Sequence, residues 1–183
     1  MTFTHATLAR TAAVATIGLL SACGAMSPMA YDQSRLPAEV KVPSGNRVAW
    51  ETVGRGDVTY ECKANKAGQP EWTFAGPDAV LEDRMGKQVG KYYGPPATWE
   101  AMDGSKITGT QVAVAPAGAG NLPYQLVKAN PAMGSGAMTG VTYIQRVALK
   151  GGVAPMSPAC TSASMGQRTV VKYQADYIFW KAN

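Results

Sequence analysis

Thr169 to Trp180 reads TVVKYQADYIFW. Thr, Val, Tyr, Ile, Phe and Trp dominate it, and that composition predicts a strand. Working back along the chain, the same composition returns in Val141–Leu149, Tyr124–Ala129, Lys106–Val114, Thr98–Ala101 and Gln88–Tyr93. It returns again in Ala79–Glu82, Glu71–Phe74, Asp57–Ala64 and Arg47–Val53. Turn signals stand between these runs: Gly54-Arg55-Gly56, Ala67-Gly68-Gln69-Pro70, Arg84-Met85-Gly86-Lys87, Asp103-Gly104-Ser105 and Gly151-Gly152. No window of useful length carries a helical period. Short strands at regular spacing predict an all-β chain, a single antiparallel β-sandwich or barrel-like domain over residues 40–181.

Upstream of that domain the character changes. Residues 1–22 have signal-peptide order: Arg10 without an acid, then the apolar run Thr11–Leu20. The run is too short for a spanning helix, which needs about 20 apolar residues. It ends in Leu20-Ser21-Ala22-Cys23, which resembles a bacterial lipobox, with Cys23 as the lipidated residue and new N-terminus. The plainer alternative is an ordinary secretory signal followed by a chance cysteine. Gly24, not Asp, follows Cys23, which resembles the sorting signal for the outer membrane. Residues 23–39 then read as a tether, with Pro37, and Pro43 just beyond it, favouring an extended path. The expected location is the bacterial cell envelope, lipid-anchored and facing the periplasm from the outer membrane.

Composition narrows the chemistry. Removing residues 1–22 leaves 161 of 183 residues and lowers the formal charge from +5 to +4, because Arg10 is the only charge lost. The surplus is scattered, which argues against nucleic-acid binding. The only histidine, His5, lies in the leader. A mature chain without histidine cannot run Ser-His-Asp or Cys-His catalysis, nor build a His-ligated zinc site. With Cys23 taken by lipid, Cys62 and Cys160 are an even pair in an oxidising compartment and read as a disulfide. A redox thiol is the alternative, but there is no CxxC spacing. No cofactor and no metal site are expected.

Two clusters carry polar residues among apolar ones. Trp99, Glu100, Asp103 and Ser105 could form a glycan or peptide platform, with a flat indole and acids that accept hydroxyl hydrogen bonds. The competing account is a strand ending in an Asp-Gly-Ser turn with Trp99 in the core. Arg146 and Asp176 interrupt apolar strands, and a buried cross-strand ion pair is the expected solution.

Several segments together resemble the family of unknown function DUF3455, found in bacterial secreted proteins and in fungi. They are Tyr60-Glu61-Cys62, Trp72-Thr73-Phe74, GPDAVLEDRMGKQVGKYYG from Gly76, Thr98-Trp99-Glu100 and Asp103-Gly104-Ser105. VTYIQRVALKGGVAP from Val141, Cys160 and VKYQADYIFW from Val171 complete the set. The resemblance runs from about Leu36 to Trp180. Some fungal members carry a malate dehydrogenase label, but no GxGxxG follows a strand here and no histidine can serve as base. Members often have a histidine before the Gly-Pro-Thr-Trp-Glu stretch; here Tyr92 stands there, with extra residues after it.

The expected function is therefore that of a lipid-anchored envelope protein with a non-catalytic binding or structural domain. Its partners would be the membrane, through the anchor, and an envelope glycan or protein. One alternative is a carboxylate-based hydrolase of envelope glycans, with Glu100 and Asp103 as its acids. Another is a lysozyme-inhibitor-like lipoprotein, from Tyr60-x-Cys62 and Phe179-Trp180-Lys181, although the Tyr expected soon after Ser44-Gly45 is missing.

Overall fold

The computed structural model describes residues 1–2 and 31–183; the leader and Cys23 lie outside the described residues. Eight strands follow in order: β1 Asn46–Ala64, β2 Pro70–Glu82, β3 Gln88–Tyr93, β4 Thr98–Ala101, β5 Lys106–Ala115, β6 Tyr124–Ala129, β7 Val141–Gly151 and β8 Arg168–Ala182. Each pairs antiparallel with its sequence neighbour, and β8 pairs with β1, so one sheet closes into a barrel. There is no α-helix among the described residues, only two single 3-10 turns at Ala38–Val40 and Ser162–Ser164. No helix among them is long and apolar enough to cross a membrane.

Six of the ten expected strands appear within two residues of their limits, but the first four merge into two. Arg47–Val53 and Asp57–Ala64 form one continuous β1, without a turn at Gly54-Arg55-Gly56. The glycines there answer a packing demand. A Cβ on Gly54 would stand 2.6 Å from the Tyr177 ring, and Gly56 lies directly against the β2 backbone at Asp78 and Ala79. Glu71–Phe74 and Ala79–Glu82 likewise join into β2, with a bulge opposite Thr59 and Tyr60 that leaves Ala75 without a partner. β1, β2 and β8 run further than the others and project past one rim of the barrel. We call this the distal rim; the terminal rim carries Asn46 and Ala182.

Strand alternation sorts side chains to the two faces. Inside lie Leu81, Tyr92, Trp99, Ile107, Ile144, Ala175, Tyr177 and Phe179, all at most 4% exposed. Eight strands enclose a space that side chains can fill. The outer wall has a second apolar cluster: Val40 and Val42 cover Ala115, Leu126, Val147, Ile178 and Trp180. The expected tether therefore ends earlier than residue 39. From Tyr31 onward the chain packs on the barrel as a strap, because Leu36, Val40 and Val42 have an apolar wall to bury against. Gln145 locks the strap. Fully buried, it donates to the Val40 carbonyl at 2.6 Å and to Gln33 at 3.1 Å, and it accepts from Trp180 Nε1 at 3.0 Å.

The tyrosines of the barrel hold their protons. Burial raises Tyr60, Tyr92, Tyr173 and Tyr177 above the ordinary phenol value, and Tyr31, at the start of the strap, is pushed up to about 12. A group with a raised folded pKa contributes its stability below the unfolded value near 10 and loses it as pH rises through the folded one. Alkaline titration followed at the phenolate absorbance is expected to show these tyrosines ionising together with loss of the near-ultraviolet dichroism. Ionisation of all of them near pH 10 with the dichroism intact would contradict the burial.

Candidate functional site

The sequence-expected platform of Trp99, Glu100, Asp103 and Ser105 is not one surface. Trp99 is 1% exposed, stacked on Tyr92 with ring centroids 4.6 Å apart and edge-on to Tyr177 at 5.9 Å. Its Nε1 is buried without a hydrogen-bond partner. Glu100, the next residue on β4, points to the opposite face. There it accepts from the Tyr93 hydroxyl at 2.8 Å, with Lys106 at 3.2 Å and Lys91 at 3.4 Å. The Tyr93 hydrogen bond, and then Lys106, hold its carboxyl below the usual range. Asp103 and Ser105 are structural. Asp103 accepts from the Ser105 hydroxyl and amide and from the Ala137 amide, so it ties two hairpin loops together. Period-2 alternation divides the cluster between core, outer wall and turn.

The expected Arg146–Asp176 pair also does not form. Asp176 faces outward and binds Arg84 at 2.6 Å, and Arg84 also reaches Glu51 at 2.8 Å. Arg146 faces inward with Ile144 and donates through Nε and Nη2 to the Pro123 carbonyl, at 3.3 and 3.0 Å. In the ladder Asp176 stands opposite Val147 and Arg146 opposite Tyr177, so a closed wall separates the two charges.

The expected disulfide is present. Cys62 on β1 and Cys160 in the loop after β7 are bonded, with Cα atoms 5.4 Å apart. Beside it, Trp72 Nε1 donates to the Pro158 carbonyl at 3.1 Å, and Tyr60 donates to the Gly152 carbonyl at 2.6 Å. The long β7–β8 loop is thereby pinned to the projecting part of β1 and β2.

That pinned projection shapes a groove of about 590 Å³ between the β1–β2 extension and the Gly94–Ala97 turn. Thr59, Glu61, Phe74, Asp78, Pro95 and Arg168 are among its walls. Phe74 is 48% exposed, an aromatic edge held at the mouth. Glu61 lies 2.9 Å from Arg168 and 3.1 Å from Lys63. Hydrogen bonds from Lys63 and then Arg168 hold its carboxyl below the usual range. A carboxylate so held accepts hydrogen bonds but is a poor proton donor near neutral pH. The arrangement suits a polar ligand that stacks an apolar face on Phe74 and donates hydroxyl or amide protons. A shallower depression over Arg55, Lys150 and Lys172 has two of its cations committed, Arg55 to Glu82 and Lys172 to Asp57. No group of three or more His, Cys, Asp or Glu residues among those described could hold a metal ion.

Sequence reasoning missed the groove because its walls come from four separate segments that only the barrel register brings together. The one available signal was Trp72-Thr73-Phe74, two aromatics on one face of a strand, of which the loop covers only Trp72.

Among curated proteins and solved structures, nothing matches the chain. The family model described as "Protein of unknown function (DUF3455)" matches residues 43–181, from the end of the strap to the last residues of β8. The match covers most of the chain and all eight strands, and the chain belongs to that family.

Proposed function

We propose that this chain is a lipid-anchored protein of the bacterial cell envelope, attached through Cys23 and facing the periplasm from the outer membrane. Its barrel acts as a non-catalytic binding domain for an envelope glycan. The observation that carries the binding reading is the groove at the distal rim, with Phe74 exposed at its mouth and Glu61 held ionised beside Arg168. Leu20-Ser21-Ala22-Cys23 at the end of an apolar run and a disulfide suited to an oxidising compartment support the location. The ion-paired carboxylates Glu61 and Glu100, together with a mature chain lacking histidine, support binding over hydrolysis.

Two measurements test this. Metabolic labelling with a fatty-acid analogue is expected to mark the wild type and not Cys23→Ser, with the variant released from the membrane fraction; equal labelling of both ends the anchor. Titration of the protein with soluble peptidoglycan fragments is expected to give binding that Phe74→Ala weakens about tenfold, the worth of one aromatic stack. Phe74→Ala is expected to leave thermal stability nearly unchanged, because half of that side chain is already in water. Cleavage of the fragments, abolished by Glu61→Gln or Asp78→Asn, would establish the hydrolase instead.

A further inference from the structure

The terminal rim carries an unusual set of loop tips. Met85 in the β2–β3 turn is 94% exposed, Met102 after β4 is 69% exposed, and Met133 in the β6–β7 loop is 51% exposed. These loops are neighbours: Met102 donates its amide to the Val89 carbonyl, Ala137 donates to Asp103, and Met133 bridges Lys106. Between them lies a shallow depression of about 370 Å³ whose walls include Trp50, Val89, Met102 and Ala137. Around the same rim stand Arg47, Lys87 and Lys181, none in an ion pair among the described residues. Flexible apolar side chains ringed by free cations match the border between headgroups and acyl chains of an anionic bilayer.

The start of the strap selects this rim over the other. Tyr31 packs edge-on against Trp180, with ring centroids 6.2 Å apart, and Trp180 pairs with Val48 and Tyr143 near the terminal rim. Cys23 is eight links upstream, which span at most about 28 Å. β8, with its 15 residues, runs about 50 Å from rim to rim. A lipid on Cys23 thus holds the terminal rim near the membrane and leaves the distal rim facing away.

The geometry points to the terminal rim as a membrane-docking surface: Met85, Met102 and Met133 enter the headgroup region, Arg47, Lys87 and Lys181 meet anionic lipid, and the groove at Phe74 is presented outward. This rests on the anchor proposed above and adds an orientation to it.

The test uses the full lipidated chain in vesicles of phosphatidylethanolamine and phosphatidylglycerol. Met85→Cys, Met102→Cys and Met156→Cys each receive an environment-sensitive fluorophore, without reductant, so that Cys62–Cys160 stays closed. Met156 is the control, 95% exposed in the β7–β8 loop at the distal rim. The expected result is a blue shift and quenching by lipid-borne nitroxides at positions 85 and 102, with neither at 156. No change at 85 and 102, or an equal change at 156, overturns the docking. A shift that grows with protein concentration at fixed lipid assigns the rim to a second copy and also overturns it. Cys23→Ser is run in parallel. If the wild type floats with vesicles only when Cys23 is intact but the probes stay unmoved, the anchor stands and the docking alone fails. If Cys23→Ser floats as well as the wild type while the probes at 85 and 102 still shift, the anchor fails and the rim binds lipid unaided.

Discussion

Replacing Cys62 and Cys160 together by Ser is expected to lower stability by about 4–5 kcal/mol, the chain-entropy value for a closed loop of roughly 100 residues. The two cysteines are 98 positions apart, so nearly the whole barrel between β1 and β8 lies inside the loop. For a domain of this size the melting temperature should fall by about 10–18 °C. The bond also has a local effect. It pins the β7–β8 loop against Trp72 and Tyr60, behind the groove that holds Phe74. The proposed glycan binding should therefore weaken at temperatures where the variant is still folded. Calorimetry of wild type and double variant, with and without reductant, checks the first part. A melting temperature that moves by less than a few degrees, in the variant or on reduction, would show that the bond contributes little.

Trp99→Ala is the second large effect. The indole fills the centre of the barrel against Tyr92 and Tyr177, and removing a buried aromatic of that size costs about 3–5 kcal/mol. Trp99→Phe is expected to cost much less, because it keeps a ring in the stack and removes the buried Nε1 that has no partner. Denaturant unfolding separates the two variants. A surface platform makes the opposite forecast: Trp99→Ala would then leave stability untouched and abolish ligand binding. That outcome would place the indole outside the core.

Strand limits were legible in the sequence wherever a run of β-branched and aromatic residues met a turn signal, as at Gln88–Tyr93 and Tyr124–Ala129. The disulfide was legible from cysteine parity. Gly54 and Gly56 misled because a glycine chosen for close approach looks the same as one chosen for a turn; only Tyr177 and Ala79 across the ladder distinguish them. Arg146 and Asp176 misled for a related reason. Alternation says which residues share a face, but not that both faces of β8 are covered, one by the barrel interior and the other by the strap. Arg84, the actual partner of Asp176, sits in a hairpin turn, where a charge attracts no notice. The groove was invisible because register, not local composition, assembles its walls.

The pairing of β1 with β8 has a consequence for how this molecule comes into being. Asn46 is matched to Ala182, so the seam of the ring joins the first strand of the barrel to its eighth. Until β8 emerges, β1 and β7 are open edges that can add strands from other chains. Contacts of such long sequence separation form slowly, since loop closure must precede them. A chain cut short before Arg168 would lack the whole seam, and no shorter ring is available to it. It would persist as an aggregation-prone intermediate, and a quality-control protease would find it by those edges. The seam makes the barrel all-or-none: its native state can be reached only after β8 has left the ribosome.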